Sequence, residues 1–145
     1  MSLRIAPLSA TDRPAWEVLA RGYKTFYETT LAPDEYDAAW QRLLDGSAVH
    51  GLGGYDSGRL VGIAHYLFHA STWARTTCYL QDLFVAPDAR GRGVARALIE
   101  AVADAARREK AARYYWLTQD KNATARALYD KVARCHGFIR YDFPL

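Results

Sequence analysis

Cysteine is scarce in this chain, whose 145 residues include only Cys78 and Cys135. The two do not form a CxxC pair, and no cluster of histidines lies beside them. The sequence therefore gives no support to a disulfide framework or to a zinc site. We expect two free thiols that pack like small apolar side chains, and no metal.

Long apolar runs are also missing, because no stretch of about 18 apolar residues occurs. The chain opens without a charged-then-apolar leader, so we expect a cytoplasmic protein that does not enter membranes. Its 145 residues suit a single domain over residues 1–145, large enough to bury a core without disulfides.

The excess of charge of one sign is small, since the chain has 19 Lys and Arg residues and 16 Asp and Glu residues. The resulting net charge of +3 helps to attract an anionic ligand. It falls short of the basic stripe that marks nucleic-acid-binding proteins, so no nucleic acid partner is expected.

Hydrophobic periodicity predicts the element order β-α-α-β-β-β-α-β-α-β, an α/β (α+β) domain with a mixed, mostly antiparallel sheet flanked by helices. The predicted strands are Leu3–Leu8, two strands joined at Asp56–Gly58, Thr77–Val85, Arg113–Thr118 and 137–143. The predicted helices lie within 9–27, 32–44, Gly93–Glu109 and 122–135.

A glycine loop joins the third strand of the meander to the helix that follows, in the sequence APDARGRGVARAL at 86–98. Glycines followed by a helix N-terminus allow a phosphate to approach unpaired backbone N–H groups. The loop lacks the Walker lysine, and Arg96 stands where the dinucleotide fingerprint needs a third glycine. Arg90, Gly93 and Ala95 instead satisfy the pattern R/Q-x-x-G-x-G/A. An ordinary turn with surface arginines is the alternative.

This loop, the DLFVAP strand before it and the N-A-x-x-x-A-L-Y sequence at 122–129 are similar to the GNAT superfamily of N-acetyltransferases. The resemblance covers essentially the whole chain. It implies the GNAT fold and transfer of an acetyl group from acetyl-CoA to a primary amine, with no metal. A small amine or polyamine is the favoured acceptor, followed by a protein lysine or N-terminus. A GNAT-like module that binds acyl-CoA as a sensor is the alternative of a different class.

Residue spacing from the second strand of the hairpin to the glycine loop resembles the spermidine/spermine acetyltransferases, at Gly62, Ala64, Tyr66, Phe68, Trp73, Tyr79, Leu80, Asp82, Phe84 and Val85. The C-terminal part resembles the histone-and-polyamine acetyltransferase subgroup. Many GNAT enzymes have Y-x-K-x-G-F here, whereas this chain has seven residues between Tyr129 and Gly137. We expect the last helix to be longer by about one turn.

The resemblance also implies where the coenzyme lies. The backbone of the third meander strand meets the acetyl group and the pantetheine arm at Leu83, Phe84 and Val85. The pyrophosphate is held by the loop and helix start, namely Arg90, Gly91, Arg92, Gly93, Val94, Ala95 and Arg96. Asn122 meets the coenzyme arm.

Acetyl transfer to an amine needs an acid for the leaving thiolate and a route for the ammonium proton. Tyr129 is the expected acid, with a buried structural aromatic as the alternative. Gln81 stands where the polyamine enzymes have a glutamate, and an amide cannot take up a proton at neutral pH. Asp82 is expected to bind or steer the amine while water carries the proton away. Strand alternation separates Gln81 and Asp82 onto opposite faces unless a bulge intervenes.

Trp73 and Tyr27 are the other expected substrate contacts, with Tyr66 and His65 as weaker candidates. A core or loop anchor is the alternative for Trp73, and a structural hydrogen bond is the alternative for Asp82. By family analogy we expect a homodimer, with the predicted last strand, GFIRYDF, at the contact.

Overall fold

Five strands form one sheet in the order β1-β2-β3-β4-β5 in the structure, a computed structural model that describes residues 2–145. The strands are β1 (Leu3–Pro7), β2 (His50–Asp56), β3 (Arg59–His69), β4 (Thr77–Val85) and β5 (Tyr114–Tyr115). The helices are α1 (Arg13–Phe26), α2 (Pro33–Asp45), α3 (Val94–Arg108) and α4 (Ala123–Val132). Strands β1 to β4 pair antiparallel and β5 is parallel to β4, so the predicted α/β class with a mixed, mostly antiparallel sheet is confirmed.

Short-range signals in the sequence set the ends of several elements. Pro33 begins α2, where its missing N–H costs nothing, and Gly46 ends it in the left-handed region at φ +67°. The β2–β3 hairpin turns at Ser57 and Gly58, both with positive φ, which matches the right-handed twist of the paired strands.

Helices cover both faces of the sheet, and glycines let one of them approach closely. A Cβ added at Gly62 in β3 would lie 2.8 Å from Val94 Cγ1 and 3.1 Å from Leu98 Cδ1 of α3. On the opposite face, a Cβ added at Gly22 in α1 would lie 2.9 Å from the Phe84 ring of β4. The start of α3 is therefore packed directly against the middle of the sheet.

The two C-terminal elements differ from their predicted lengths. β5 contains only two residues that pair with β4, at Cys78↔Tyr114 and Tyr79↔Tyr115. α4 ends at Val132, and Ala133 is already extended, so the predicted extra helical turn is not formed.

The predicted final strand is also not formed. Residues 133–145, which we call the C-terminal segment, contain neither helix nor strand. A strand needs a neighbouring edge to satisfy its backbone groups. Within this chain the segment pairs with none of the five strands, and its large apolar side chains remain exposed.

Candidate active site

The glycine loop folds into an open cradle in front of α3. Gly91 and Gly93 have φ of +76° and +83°, and a Cβ added at either would meet nothing within 4 Å. Gly93 is the N-cap residue of α3, and no side chain caps this helix. The N–H groups of its first turn therefore point forward without a side-chain partner, with the positive end of the helix dipole behind them. This arrangement fits the phosphate groups of a coenzyme.

The three arginines of the loop differ in their surroundings. The Arg90 side chain lies back along β4, where its Nε donates to the Val85 carbonyl at 3.0 Å and its guanidinium lies 5.2 Å from the Phe84 ring centroid. Arg92 and Arg96 keep about half of their side-chain surface exposed, at 51 % and 54 %. Arg90 thus ties the loop to the strand, whereas Arg92 and Arg96 supply positive charge at its mouth.

The outer edge of β4 is free beyond its short pairing with β5. The Ala86 N–H donates to the Val61 carbonyl of β3. Because backbone groups alternate between the two edges of a strand, Leu83 and Val85 present theirs to the opposite edge. Arg90 binds the Val85 carbonyl there, which leaves the Leu83 and Val85 N–H groups as donors beside the glycine loop.

A β-bulge in β4 determines which way the side chains of Gln81 and Asp82 point. His65 pairs with Asp82, but Tyr66 pairs with Leu80, so Gln81 is the extra residue. Without the bulge, strand alternation would place Asp82 and Tyr79 on opposite faces of the sheet. With the bulge, both side chains lie on the face that α1 covers, which we call the α1 face. Gln81 remains exposed at the bulge itself.

Asp82 is the centre of a hydrogen-bonded group on this face. Its Oδ2 lies 2.9 Å from His65 Nδ1, and His65 Nε2 lies 3.0 Å from the indole nitrogen of Trp16. Burial alone raises the pKa of Asp82, but hydrogen bonds from His65 and Tyr23 and the nearby charge of Lys24 outweigh it and lower this pKa. The carboxylate is therefore charged at neutral pH.

Aromatic hydroxyls from α1 surround this carboxylate. Burial, then the Asp82 charge, raises the pKa values of both Tyr23 and Tyr27. The two rings lie 4.9 Å apart. Tyr79 of β4 also faces Asp82, with Arg140 of the C-terminal segment beside it.

Tyr129 lies on α4, near Tyr27. Its ring meets Trp116 edge to face at 5.4 Å. Burial, with a smaller effect of Tyr27, raises the pKa of Tyr129 to about 12. The phenol therefore keeps its proton at physiological pH and is available as a proton donor.

The cleft between α1 and α4 has a volume of about 420 Å³ and is lined by Phe26, Tyr27, Glu28, Gln119, Lys121, Asn122, Ala123 and Thr124. Asn122 has a structural task here as well, because it is the N-cap of α4 and its Oδ1 accepts from the Ala125 N–H at 3.3 Å. A substrate in this cleft would contact Tyr27, which has both Asp82 and Tyr129 as neighbours.

Most of the residues expected from sequence gather in this region. Arg90 of the coenzyme loop contacts the Phe84 ring of β4, which meets Tyr23 edge to face. Tyr23 in turn lies beside Asp82 and Tyr27, and Tyr27 lies near Tyr129. Trp73 does not join them closely: it lies in the β3–β4 connection with 89 % of its surface exposed. Tyr66 lies on the α3 face, beside Phe68 and His50.

Sequence reasoning missed two members of the Asp82 group. Tyr23 precedes Tyr27 by one helical turn, so the i, i+4 spacing on α1 could have indicated a shared face. Trp16 gave no such signal, because its role depends on the packing of α1 across β3. The sequence makes His65 only a weaker candidate, although this residue of β3 pairs directly with Asp82 of β4.

Two further features of residues 2–145 concern metal binding and membrane spanning. No group of three or more His, Cys, Asp and Glu side chains in this range is placed to hold a metal ion. No helix in the same range is long and apolar enough to cross a bilayer.

Comparison with known proteins agrees with this geometry. The Acetyltransferase (GNAT) family matches residues 14–134. The chain is 33 % identical over 133 residues to D-amino-acid N-acetyltransferase HPA3 of Saccharomyces cerevisiae, which covers 89 % of this chain and 83 % of that protein. It is 33 % identical over 89 residues to the thialysine N-epsilon-acetyltransferase of Caenorhabditis elegans, covering 61 % and 56 % of the two chains.

Solved structures show the same fold. The ribosomal-protein-alanine N-acetyltransferase from Brucella melitensis biovar Abortus 2308 superposes with a TM-score of 0.84 at 23 % identity, over 99 % of this chain and 100 % of that one. AAC(6')-Iy in complex with a CoA bisubstrate analogue gives a TM-score of 0.89 at 17 % identity, over 100 % and 99 % of the chains. Taken with the family match, these findings show that the chain belongs to the acetyltransferase (GNAT) family and is an N-acetyltransferase.

Proposed function

We propose that this enzyme transfers an acetyl group from acetyl-CoA to the primary amine of a small cationic molecule. The observation that carries the proposal is that a charged carboxylate, Asp82, and a protonated phenol, Tyr129, both lie near Tyr27 in the α1–α4 region. The names of two relatives, which refer to D-amino acids and thialysine, support a small amine as acceptor over a protein lysine or N-terminus.

The glycine loop and the start of α3 would hold the pyrophosphate of the coenzyme. The residues in contact would be Arg90, Gly91, Arg92, Gly93, Val94, Ala95 and Arg96. Further along, the β4 edge at Leu83, Phe84 and Val85 would align the pantetheine arm, and Asn122 would flank it from α4. Bound acetyl-CoA supplies the acetyl thioester.

Each proton in the reaction has a candidate group. An amine arrives as an ammonium ion with a pKa of about 10.4, and the Asp82 carboxylate attracts and orients it. Gln81 holds the neighbouring exposed position at the bulge and can accept a hydrogen bond but no proton. Water therefore removes the ammonium proton. Leu83 N–H would bind the carbonyl oxygen as negative charge develops, and Tyr129 Oη would give its proton to the leaving thiolate. The second proton that the nitrogen loses as the amide forms would return to the Tyr129 oxygen.

The test is thiol release from acetyl-CoA in the presence of single amines, followed with a thiol reagent. The panel contains polyamines, lysine and thialysine, D-amino acids, and a lysine-containing peptide. We expect turnover on small amines with a second positive charge, because Asp82 selects cations. Turnover on the peptide alone would contradict the small-amine assignment. Tight coenzyme binding with no turnover on any amine would favour the sensor alternative.

We also propose that two copies associate through the C-terminal segment. Ile139, Tyr141 and Phe143 alternate with the ion pair of Arg140 and Asp142, which is the pattern of a half-buried strand. Yet these three apolar side chains are 75 %, 86 % and 85 % exposed. A second copy of this chain would cover them and give the segment the strand partner that it lacks within its own chain.

Sedimentation or light scattering at micromolar concentration tests the dimer, with the triple variant Ile139→Ser, Tyr141→Ser and Phe143→Ser as comparison. A dimeric parent and a monomeric variant are expected, and a monomeric parent would refute the proposal. We further propose that residues 1–145 act as one domain in the cytoplasm, a location supported by the exposed free thiol of Cys135, which a reducing compartment maintains.

A further inference from the structure

The packing of α1 across β3 and β4 places three side chains in a row: Trp16, His65 and Asp82. The Trp16 indole nitrogen lies 3.0 Å from His65 Nε2, and His65 Nδ1 lies 2.9 Å from Asp82 Oδ2. Both distances are those of good hydrogen bonds. The row runs from the core of the protein to the floor of the proposed acceptor site.

The hydrogen bond between Trp16 and His65 determines which nitrogen of His65 carries the hydrogen in its contact with Asp82. An indole N–H only donates, so His65 Nε2 must accept from Trp16. In a neutral imidazole one nitrogen accepts and the other carries the hydrogen. His65 Nδ1 is therefore the N–H nitrogen, and it donates to the Asp82 carboxylate.

The indole of Trp16, the first side chain of this row, is held rigidly by its packing. Only 1 % of its surface is exposed, and it packs against Trp40 at 4.9 Å and Tyr36 at 6.5 Å between ring centroids. Turning the indole away from His65 would leave a buried N–H without a partner, which is costly. The exposed fraction then increases along the row, to 12 % for the His65 side chain and 22 % for that of Asp82.

We propose that Trp16 and His65 are positioning residues for acetyl transfer: Trp16 holds His65 in the Nδ1–H tautomer, and His65 holds Asp82 Oδ2 so that the rest of the carboxylate faces the acceptor ammonium. The inference rests on the proposed function, because it assumes that Asp82 receives the amine. It adds to that function two residues that never touch the substrate.

The bulge at Gln81 is part of this arrangement. It places Asp82 on the face shared with Tyr79 and α1, where Tyr23, Tyr27 and Lys24 surround the carboxylate. Arg140 of the C-terminal segment lies beside Tyr79 and Tyr23. Tyr23 also donates to Asp82, but His65 makes the stronger contact, at 2.9 Å to Oδ2 directly across the two strands. His65 is therefore the neighbour that holds this oxygen in place.

Two variants of His65 separate hydrogen bonding from packing. His65→Leu removes the donor and is expected to raise the KM for the amine roughly tenfold to a hundredfold, the usual effect of losing a hydrogen bond to a charged group. His65→Asn restores an N–H close to the position of Nδ1 and is expected to return KM to within about threefold of the parent. The Kd for acetyl-CoA stays unchanged in both.

His69→Leu is the matched control, because it removes another histidine of β3 that bonds Ala70 and Tyr115 instead of Asp82. Its KM for the amine is expected to equal that of the parent. A His65→Leu enzyme with the parent KM would overturn the inference, and so would a His65→Asn enzyme as impaired as His65→Leu. Absence of turnover by the parent enzyme would instead overturn the proposed function, and the role assigned to Trp16 and His65 with it.

A direct measurement protects the test against variants that fail to fold. Nitrogen-15 NMR of the histidine rings in the parent protein reports which ring nitrogen of His65 carries the hydrogen. The Nδ1–H tautomer is expected, and an Nε2–H tautomer would overturn the inference whatever the variants do. In Trp16→Phe, which lacks the indole donor, the nitrogen-15 shift of His65 Nε2 should move, because this nitrogen loses its hydrogen bond; an unchanged Nε2 shift would remove Trp16 from the row.

Discussion

Replacing Gly93 by alanine tests the coenzyme loop with a control that the chain itself provides. Gly93 has φ +83° and Gly58 has φ +88°, and a Cβ added at either residue meets no atom within 4 Å. The two substitutions therefore impose the same kind of backbone strain and no steric clash. They differ in place, because Gly58 lies in the β2–β3 turn whereas Gly93 caps α3.

The expected magnitudes follow from this geometry. An alanine in the left-handed region costs roughly 1–2 kcal/mol, and each kcal/mol lowers the Tm of a protein of this size by about 2–4 °C. Both variants should therefore show similar losses in Tm. At Gly93 the methyl group would also stand where we propose that a phosphate approaches the helix N-terminus. Loss of one such charge-assisted hydrogen bond costs about 1.5–3 kcal/mol, which raises Kd roughly tenfold to a hundredfold.

Calorimetric titration with acetyl-CoA below the Tm of both variants measures this difference. Gly58→Ala should bind the coenzyme like the parent, and Gly93→Ala should bind it at least about tenfold more weakly. Equal coenzyme affinity in the two variants would mean that the loop in front of α3 does not hold the phosphates.

Three further predictions address catalysis and packing. Tyr129→Phe should lower kcat about 10²- to 10⁴-fold, the usual contribution of a general acid, with the Kd for acetyl-CoA unchanged. Since the pKa of Tyr129 is raised to about 12, the kcat of the parent should show no loss from ionisation of Tyr129 below about pH 11. A variant with the kcat of the parent would exclude Tyr129 as the acid. Asp82→Asn should raise the KM for the amine. Because the folded-state pKa of Asp82 lies below its ordinary value, the charged carboxylate stabilises the fold at neutral pH, and this contribution disappears as pH falls below about 4. The difference in Tm between the parent and Asp82→Asn should therefore shrink below that pH. A Tm difference that stays constant with pH would contradict the lowered pKa. Gly62→Ala should cost about 1–3 kcal/mol by overpacking, since its Cβ would lie 2.8 Å from Val94 Cγ1, and unchanged thermal stability would show that α3 can move away.

The elements that the sequence predicted best are those with strong local signals. β4 has the predicted bounds because its apolar residues continue between clear turn signals. α3 begins at Val94, directly after the second glycine of the loop. The strand, glycine loop and helix proposed to hold the coenzyme could be predicted as elements for the same reason, since they are consecutive in the chain.

The remaining features depend on contacts distant in sequence. The bulge at Gln81 is a mismatch between β3 and β4, and a single strand read alone cannot reveal it. The hydrogen bond of Trp16 to His65 depends on how α1 crosses the sheet. The C-terminal segment has the alternation of a strand, yet a strand forms only where another edge is available.

The two halves of the proposed site come from different parts of the chain, and this arrangement affects how the specificity for the amine can change. One continuous stretch, from β4 through the start of α3, provides the coenzyme half, and the contact of Arg90 with the Val85 carbonyl locks the two together. The acceptor half is assembled from Asp82 of β4, from α1 with its C-terminal end at Tyr27, and from the connection before α4. Substitutions on α1 can therefore exchange one amine for another while the donor end keeps its geometry, which makes Tyr23 and Tyr27 the natural positions for retargeting the enzyme.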